Sequence, residues 1–440
     1  MIVVYPPNSL IMMLGGFRNK ISEVPLKKTQ YCIEVKCEDG SLLFHTLTGA
    51  LLLLEKGDSF SAFEDDLTKH NFLIPKDTDE LKYVNEYRSL ISSLNPENGN
   101  ITRYTILTST DCNARCYYCY ELGRKRISMT SETAKRVAAY IIASSGGEKV
   151  KLHWFGGEPL YNIPAIDTIT SILAEHEIGF TSRITTNGFY MNKSVAHKAK
   201  IEWNTELVQI TLDGTEKMYN RTKAYIDKED NPYRKVMENI GYALHEGIHV
   251  QIRLNMDANN ADNLQELIDE LSKRFGDRDS MTIGVSFLRK FTGDIHPFDS
   301  DEEAISWHRT LSDRIERAGF NSKTKLQRNI RKNKCMADSD SSEVILPDGC
   351  VGRCEHFSES EIAGNIFDEN RDEKMIQSWK EIAKPFDDCK KCALYPRCIN
   401  LKKCEWDKYG CSPAVRTTKI DSLKKQILRE YQEWKQKNTE

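Results

Sequence analysis

Between Ile101 and about Phe320 the chain alternates short apolar runs with stretches whose apolar residues recur every three or four positions. That alternation predicts strand, helix, strand, helix. The strands are expected at 102–107, 150–155, 181–185, 206–212, 249–255 and 281–287. Helices are expected at 131–144, 165–175, 193–200, 233–246, 261–275 and 301–318. The first helix has Thr130 or Ser131 to cap it and Val137, Ala138, Ile141 and Ile142 on one face. Six βα repeats make a parallel sheet with helices outside, in a sheet too short to close as eight strands would.

The first ninety-odd residues are patterned differently. Thr29–Cys37 alternates polar and apolar, turns at Glu38-Asp39-Gly40 and returns as Leu42–His45, the signature of a hairpin. Gly49–Glu55 is a leucine run, either helix or buried strand. Ser59–Lys69 reads as a short helix, Leu73–Pro75 as an extended piece, and Asp77 or Thr78 as the cap of a helix to about Ser92. Residues 1–28 give no clear signal. Residues 96–100 read as a polar linker, and Asp338–Ser342 as a surface loop. At the other end, Ile420, Leu423, Ile427, Leu428, Tyr431 and Trp434 form one stripe of an amphipathic helix, expected to pack on the barrel. The expected organisation is a small α+β domain (1–96), a partial barrel (101–320), a cysteine-rich domain (330–415) and the terminal helix (416–440).

Composition narrows the function classes. A chain of 440 residues with 39% hydrophobic residues can bury several cores, and a net charge of −3 offers no basic field for nucleic acid. No apolar run has the length of a membrane span, and Met1–Gly16 lacks the basic lead of a signal peptide. Thirteen cysteines without secretory features point to metal thiolates in a reducing cytoplasm.

Three of those cysteines, Cys112, Cys116 and Cys119, share the loop after the first barrel strand as Cys-x3-Cys-x2-Cys. An iron–sulfur cluster ordinarily takes four thiolates. Three would leave one iron open to a ligand that reacts, as a catalytic zinc keeps one position open. Structural zinc is the competing reading. The second strand runs into Gly156-Gly157-Glu158-Pro159, and the third ends at Thr185-Thr186-Asn187-Gly188. Glycines let backbone approach closely, and Glu158 supplies acceptors for an ammonium. Asp213 closes the fourth strand as a proton acceptor, a substrate contact or a turn cap. Arg253 and Asn255 alternate to one side of the fifth, where an arginine fork suits a carboxylate. His153 and Trp154 read as barrel packing.

Together these motifs resemble the radical S-adenosylmethionine (SAM) superfamily. The resemblance implies a partial (β/α)6 TIM-type barrel with an N-terminal winged-helix-like α+β domain. It implies SAM bound at the open iron beside Gly156, Gly157 and Glu158, with Tyr118 near the adenine, Thr186 and Asn187 at the ribose, and Arg253 and Asn255 at the carboxylate or ribose. It places Asp213 near the reacting centre.

Downstream, Cys335-x13-Gly349-x4-Cys354 precedes Cys389-x2-Cys392-x5-Cys398-x5-Cys404 and then Cys411. This order resembles the SPASM domain, which carries two auxiliary 4Fe-4S clusters, although the family has three residues where five separate Cys398 from Cys404. The resemblance implies Cys389, Cys392, Cys398 and Cys411 on the outer cluster and Cys335, Cys354 and Cys404 on the inner one, with Cys350 as its fourth ligand or an open iron in its place. Cys32 and Cys37 read as buried thiols on opposite faces of a strand.

The expected function is a peptide maturase. SAM and three 4Fe-4S clusters would serve it, a flavodoxin or ferredoxin would donate electrons, and a ribosomal precursor peptide would be crosslinked by a thioether or carbon–carbon bond. Residues 1–96 would either bind the peptide's leader by extending a sheet or simply pack on the barrel. An anaerobic sulfatase-maturing enzyme and a non-catalytic iron–sulfur electron carrier are the alternatives.

Overall fold

A computed structural model of the chain describes residues 1–8, 24–94, 99–227, 231–276, 279–288, 295–321, 324–356, 361–368, 370–404 and 411–438. Most of the expected linker at 96–100 lies outside them. The chain divides into two compact units, one of Met1–Pro96, Thr324–Cys335 and Glu381–Glu440, the other of Glu97–Lys323 and Met336–Lys380.

In the first unit the strands are β1 (Ile2–Tyr5), β2 (Leu26–Lys28), β3 (Cys32–Cys37), β4 (Gly40–His45), β5 (Leu51–Glu55) and β6 (Leu73–Pro75). Strands β1, β5, β4 and β3 form an antiparallel sheet in that order, and β2 pairs with β6. The leucine run is a strand, because both faces of the sheet are covered: Leu51 and Leu53 join one core, Leu52 and Leu54 the other. Gly40 closes the β3–β4 hairpin opposite Cys37, where any Cβ would meet the Leu54 carbonyl oxygen at 2.0 Å. The helix at Glu80–Leu94 is capped by Asp79, whose carboxylate accepts from the Leu81 and Lys82 amides, one or two residues later than the sequence suggests. The terminal helix, Pro413–Asn438, expected with the barrel, belongs to the first unit. Leu423, Ile427 and Tyr431 bury against Ile33, Val35 and Leu42, and Tyr431 and Lys435 both reach Asp39 of the hairpin turn.

His45 is fully buried at the end of β4 and accepts from the Leu47 and Thr48 amides at 3.3 and 3.4 Å. Burial pushes its pKa down to about 3, against a smaller opposing pull from the Asn71 backbone. In the unfolded chain it titrates near 6.5, so the unfolded state binds the extra proton first and stability is lost as pH falls from there. Hydrogen exchange of the β4 and β5 amides should show this unit losing about 1.4 kcal/mol per pH unit below pH ~6. His45→Gln, which keeps an acceptor, should flatten that slope.

The second unit holds the barrel. Its strands are β7 (Arg103–Ser109), β8 (Val150–Gly156), β9 (Phe180–Thr186), β10 (Thr205–Leu212), β11 (His249–Met256), β12 (Met281–Phe287), β13 (Ser342–Ile345), β14 (Cys350–Gly352) and β15 (Gly364–Asn365). They form one nine-stranded sheet in the order β12-β11-β10-β9-β8-β7-β13-β14-β15. The six predicted strands are parallel neighbours, the α/β arrangement of a partial TIM-type barrel. One face carries Ile106, Trp154, Ile184, Ile210, Ile252 and Ile283 into the main core under the helices. β13 extends the sheet beyond β7, also parallel. The expected surface loop before it is in fact buried at Ser339 and Ser342. The Ser341 carbonyl accepts from the Thr102 and Arg103 amides, and the buried Arg353 guanidinium donates to the Ala337, Ser339 and Ser342 carbonyls.

Candidate active site

The carboxyl ends of β7, β8 and β9 are stitched into one surface. The Gly157 and Glu158 amides donate to the Ser109 and Asp111 carbonyls at 3.0 and 2.9 Å. This contact explains the glycine pair. A Cβ at Gly156 would lie 2.1 Å from the Ser109 oxygen, and one at Gly157 2.4 Å from that of Asp111. What the glycines approach is the cysteine loop itself. Gly157→Ala should therefore push that loop outward, costing about 1–3 kcal/mol as overpacking does. The checks are the melting temperature and the iron retained after reconstitution.

Glu158 is fully buried. Its Oε1 accepts from the Leu160 amide (3.0 Å) and the Thr186 hydroxyl (2.7 Å), its Oε2 from the Asn187 amide (2.8 Å). Burial pushes its pKa up to about 7 against these hydrogen bonds. Its first job is thus to lock β8 to β9. Thr186 is turned into that lock rather than toward a ribose, and Thr185 occupies the other face of the strand. Asn187 continues the seam: its amide nitrogen donates to Asn113 Oδ1 at 2.8 Å and lies 3.7 Å from Cys112 Sγ.

The three thiols sit above this seam. Burial raises the Cys112 pKa to about 12 and that of Cys119 to about 11, and raises Cys116 as well. Buried thiols stay protonated until metal takes the proton's place. Among the described residues no three His, Cys, Asp or Glu side chains converge closely enough for a single ion. A cubane asks for a different arrangement, one thiolate at each of three irons. The loop fits that demand: Cys112 lies within electrostatic reach of Cys116 and Cys119, and the Ala114 amide donates to Cys112 Sγ at 3.3 Å.

Beneath the loop is a buried charge network that the sequence reading missed in part. Lys223 Nζ lies 2.9 Å from Asp213 Oδ2, with side-chain exposures of 3% and 0%. The Tyr118 hydroxyl donates to both Asp213 oxygens at 2.9 and 2.8 Å and accepts from Lys223 at 3.1 Å. Burial alone would push the Lys223 ammonium toward neutrality; Asp213 and then Tyr118 outweigh it and hold it charged. Burial, then Asp213, keeps the Tyr118 phenol protonated. Asp213, read from the sequence as a proton acceptor, a substrate contact or a turn cap, is thus closed off from solvent with both oxygens engaged. Lys223 ends the helix Glu216–Lys223, whose Glu-Lys-Met-Tyr-Asn-Arg-Thr-Lys sequence has the polarity of a surface helix. Nothing local marks that lysine as buried.

Arg253 and Asn255 share one side of β11, as expected, and bond each other: Arg253 Nε donates to Asn255 Oδ1 at 3.0 Å. Burial lowers the Arg253 pKa, opposed by Tyr118 and Asp213. Thr211 is its partner on β10, one residue beyond the Ile210–Thr186 pair, so Arg253 stands at the rim, level with Asn187.

The family model of the Radical SAM superfamily matches residues 106–271, which contain the thiol loop, the Gly156–Glu158 turn, Asn187, Asp213 and Arg253. The chain carries a radical SAM domain. Among solved structures, native anSMEcpe with bound AdoMet and Kp18Cys peptide superposes with a TM-score of 0.56 at 16% identity, over 76% of this chain and 99% of that one. Streptococcus suis SuiB bound to precursor peptide SuiA gives 0.51 at 14% identity, over 85% and 94%. Both likenesses concern the fold. A GTP 3′,8-cyclase of Photorhabdus laumondii subsp. laumondii is 35% identical over 97 residues, 21% of this chain, and the match spans 29% of that protein.

The remaining cysteines fall in both units. In the first, burial raises the Cys389 pKa, as do Cys392 and Cys411; Cys398 is raised by burial and by Cys392, Cys411 and Cys389. Those four are thus within electrostatic reach of one another. Cys404 is buried, 3.4 Å from the Nζ of Lys334, the residue before Cys335. In the second unit, Cys350 faces Asn365 (3.5 Å) and a surface groove of about 430 Å³, while Cys354 Sγ lies 3.4 Å from the His356 amide. No helix among the described residues is long and apolar enough to cross a membrane.

Proposed function

We propose that this chain is a radical SAM peptide maturase of the SPASM type. The observation that carries it is the seam itself, which gathers three thiols, the Gly156–Gly157 turn and Asn187 at one rim of an open barrel whose inner wall is polar. When bound, the cluster and SAM supply reductive cleavage of the sulfonium to methionine and a 5′-deoxyadenosyl radical. Cys112, Cys116 and Cys119 would hold three irons. Asn187 and the backbone of Gly156 and Gly157 would border the methionine amino group, with Glu158 keeping that border rigid. Arg253, its position fixed by Asn255, presents its two terminal amines to a carboxylate or ribose. Tyr118, held by Asp213 and Lys223, fixes the loop on the adenine side.

The substrate is a precursor peptide: the 5′-deoxyadenosyl radical would take one hydrogen atom from it, and closing the thioether or carbon–carbon bond would release a proton to solvent and one electron to an auxiliary cluster. Two supports favour a peptide. The barrel is an open six-strand arc, and both structural likenesses are to proteins crystallised with peptides. Residues 1–96 would bind a leader, with the β3 edge, which among the described residues pairs only with β4, as the place for an added strand. Cys389, Cys392, Cys398 and Cys411, all of the first unit, would hold an outer auxiliary cluster. A flavodoxin or ferredoxin would be the electron donor.

The test is anaerobic reconstitution with iron and sulfide, then dithionite and SAM. The expected products are 5′-deoxyadenosine and methionine, with a cognate peptide losing two hydrogens. No 5′-deoxyadenosine from fully loaded protein would instead identify an electron carrier, and conversion of a sulfatase cysteine or serine to formylglycine would identify a sulfatase-maturing enzyme.

A further inference from the structure

The inner wall of the barrel holds a cation, Arg183, that makes no ion pair among the described residues. Arg183 lies in the middle of β9, opposite His153 of β8, and is open to solvent. Its Nη2 donates to His153 Nδ1 at 3.1 Å. Because a guanidinium can only donate, this contact fixes the histidine tautomer: Nδ1 accepts and Nε2 carries the hydrogen. That hydrogen goes to Thr185 Oγ1 at 2.9 Å. The chain of bonds therefore runs one way, from Arg183 through His153 to Thr185. Among the described residues no acceptor takes the Thr185 hydroxyl hydrogen or the remaining Arg183 donors, which are left for an acceptor that comes from outside. Burial and the neighbouring Arg183 charge keep His153 neutral, so it does not compete for an anion. Burial against the barrel wall lowers the Arg183 pKa, opposed by Glu355, which makes no ion pair with it.

The position separates this group from the SAM rim. Arg183 precedes Thr186 by three residues, and Arg253 stands one level above Thr186, so about 13 Å of strand separates the two arginines. We propose that Arg183, oriented by His153 and seconded by Thr185, is a carboxylate-binding site on the barrel wall that takes an acidic side chain of the peptide substrate. The inference rests on the peptide-maturase reading above. A fork of guanidinium donors beside a hydroxyl matches a carboxylate and leaves an amide isostere with one donor facing donors.

The test uses the reconstituted holoenzyme and two capped tripeptides, acetyl-Gly-Glu-Gly-amide and acetyl-Gly-Gln-Gly-amide, with binding followed by ligand-observed NMR. The glutamyl peptide should bind about tenfold or more tighter than the glutaminyl one, as a charge-assisted hydrogen bond allows. R183Q should remove the difference. Should R183Q fail to fold, R183K carries the test: it keeps the charge without the fork, and the preference should fall clearly below that of the wild type. Equal binding by the wild type, or a preference that survives in the variant, would overturn the assignment. Each titration is run with and without SAM. A preference unchanged by SAM supports a peptide carboxylate; one that SAM abolishes means that Arg183 serves the carboxylate of SAM, and the proposal falls. Formation of 5′-deoxyadenosine by the wild type checks the parent reading separately, since it needs no acidic peptide.

Discussion

Cys116→Ala should end SAM cleavage while leaving the fold intact. The thiol is buried among Tyr118, Asp213 and Lys223, so a smaller apolar side chain leaves a cavity but strands no charge. What it removes is one of three protein ligands. Removing an outer-shell partner of a metal ligand costs about 10–100-fold, and Asn187→Ala, which loses the side-chain amide beside Cys112 Sγ, should fall there. Loss of a ligand itself should take 5′-deoxyadenosine below that range. The reconstituted variant should also hold about four irons fewer per chain than the wild type. Circular dichroism should be unchanged, because Cys116 contributes no backbone contact beyond its carbonyl's bond from the Cys119 amide. Full iron content in the variant would mean that the loop is not a cluster site, and the functional proposal would go with it.

The rim was legible in the sequence because each of its parts has a local signature. A strand must precede a helix for the alternation to appear, and the thiols and glycines fall where strands end. Three other features were not legible, each for a physical reason. β13 is only Ser-Glu-Val-Ile after a polar run, too short for periodicity, and it is a strand because Thr102 and Arg103 offer amides to Ser341. The face that Thr185 and Thr186 present depends on the parity of a single strand, and two adjacent threonines carry no pattern to fix it. The terminal helix has an apolar stripe that states what it must bury but not against which sheet; Tyr431 and Lys435 meeting Asp39 decide that, 392 and 396 residues apart in sequence. Sequence reading thus recovers what is encoded within a dozen residues and loses what long-range pairing decides.

Asp213→Ala should be among the most destabilising single changes in the barrel, because it leaves the Lys223 ammonium buried without its carboxylate. Breaking such a pair from one side costs about 3–5 kcal/mol, whereas replacing all partners by apolar groups of similar size is often close to neutral. The triple variant Asp213→Leu, Lys223→Met, Tyr118→Phe should therefore lie much nearer the wild type in denaturant midpoint than Asp213→Ala does. That comparison also separates two roles for Asp213. With both oxygens engaged and no solvent exposure, the carboxylate acts by holding the loop under Cys116, and the triple variant should still form 5′-deoxyadenosine within about tenfold of the wild type, a loss of about 1.4 kcal/mol in barrier terms. If the triple variant folds, loads its iron and cleaves SAM, yet leaves the peptide unmodified, Asp213 moves a proton at the substrate and the network must open during turnover. If it folds but cannot load iron, the charge of Lys223 is needed to gather three thiolates in one place. The stability comparison is independent of both results and tests the buried pair by itself.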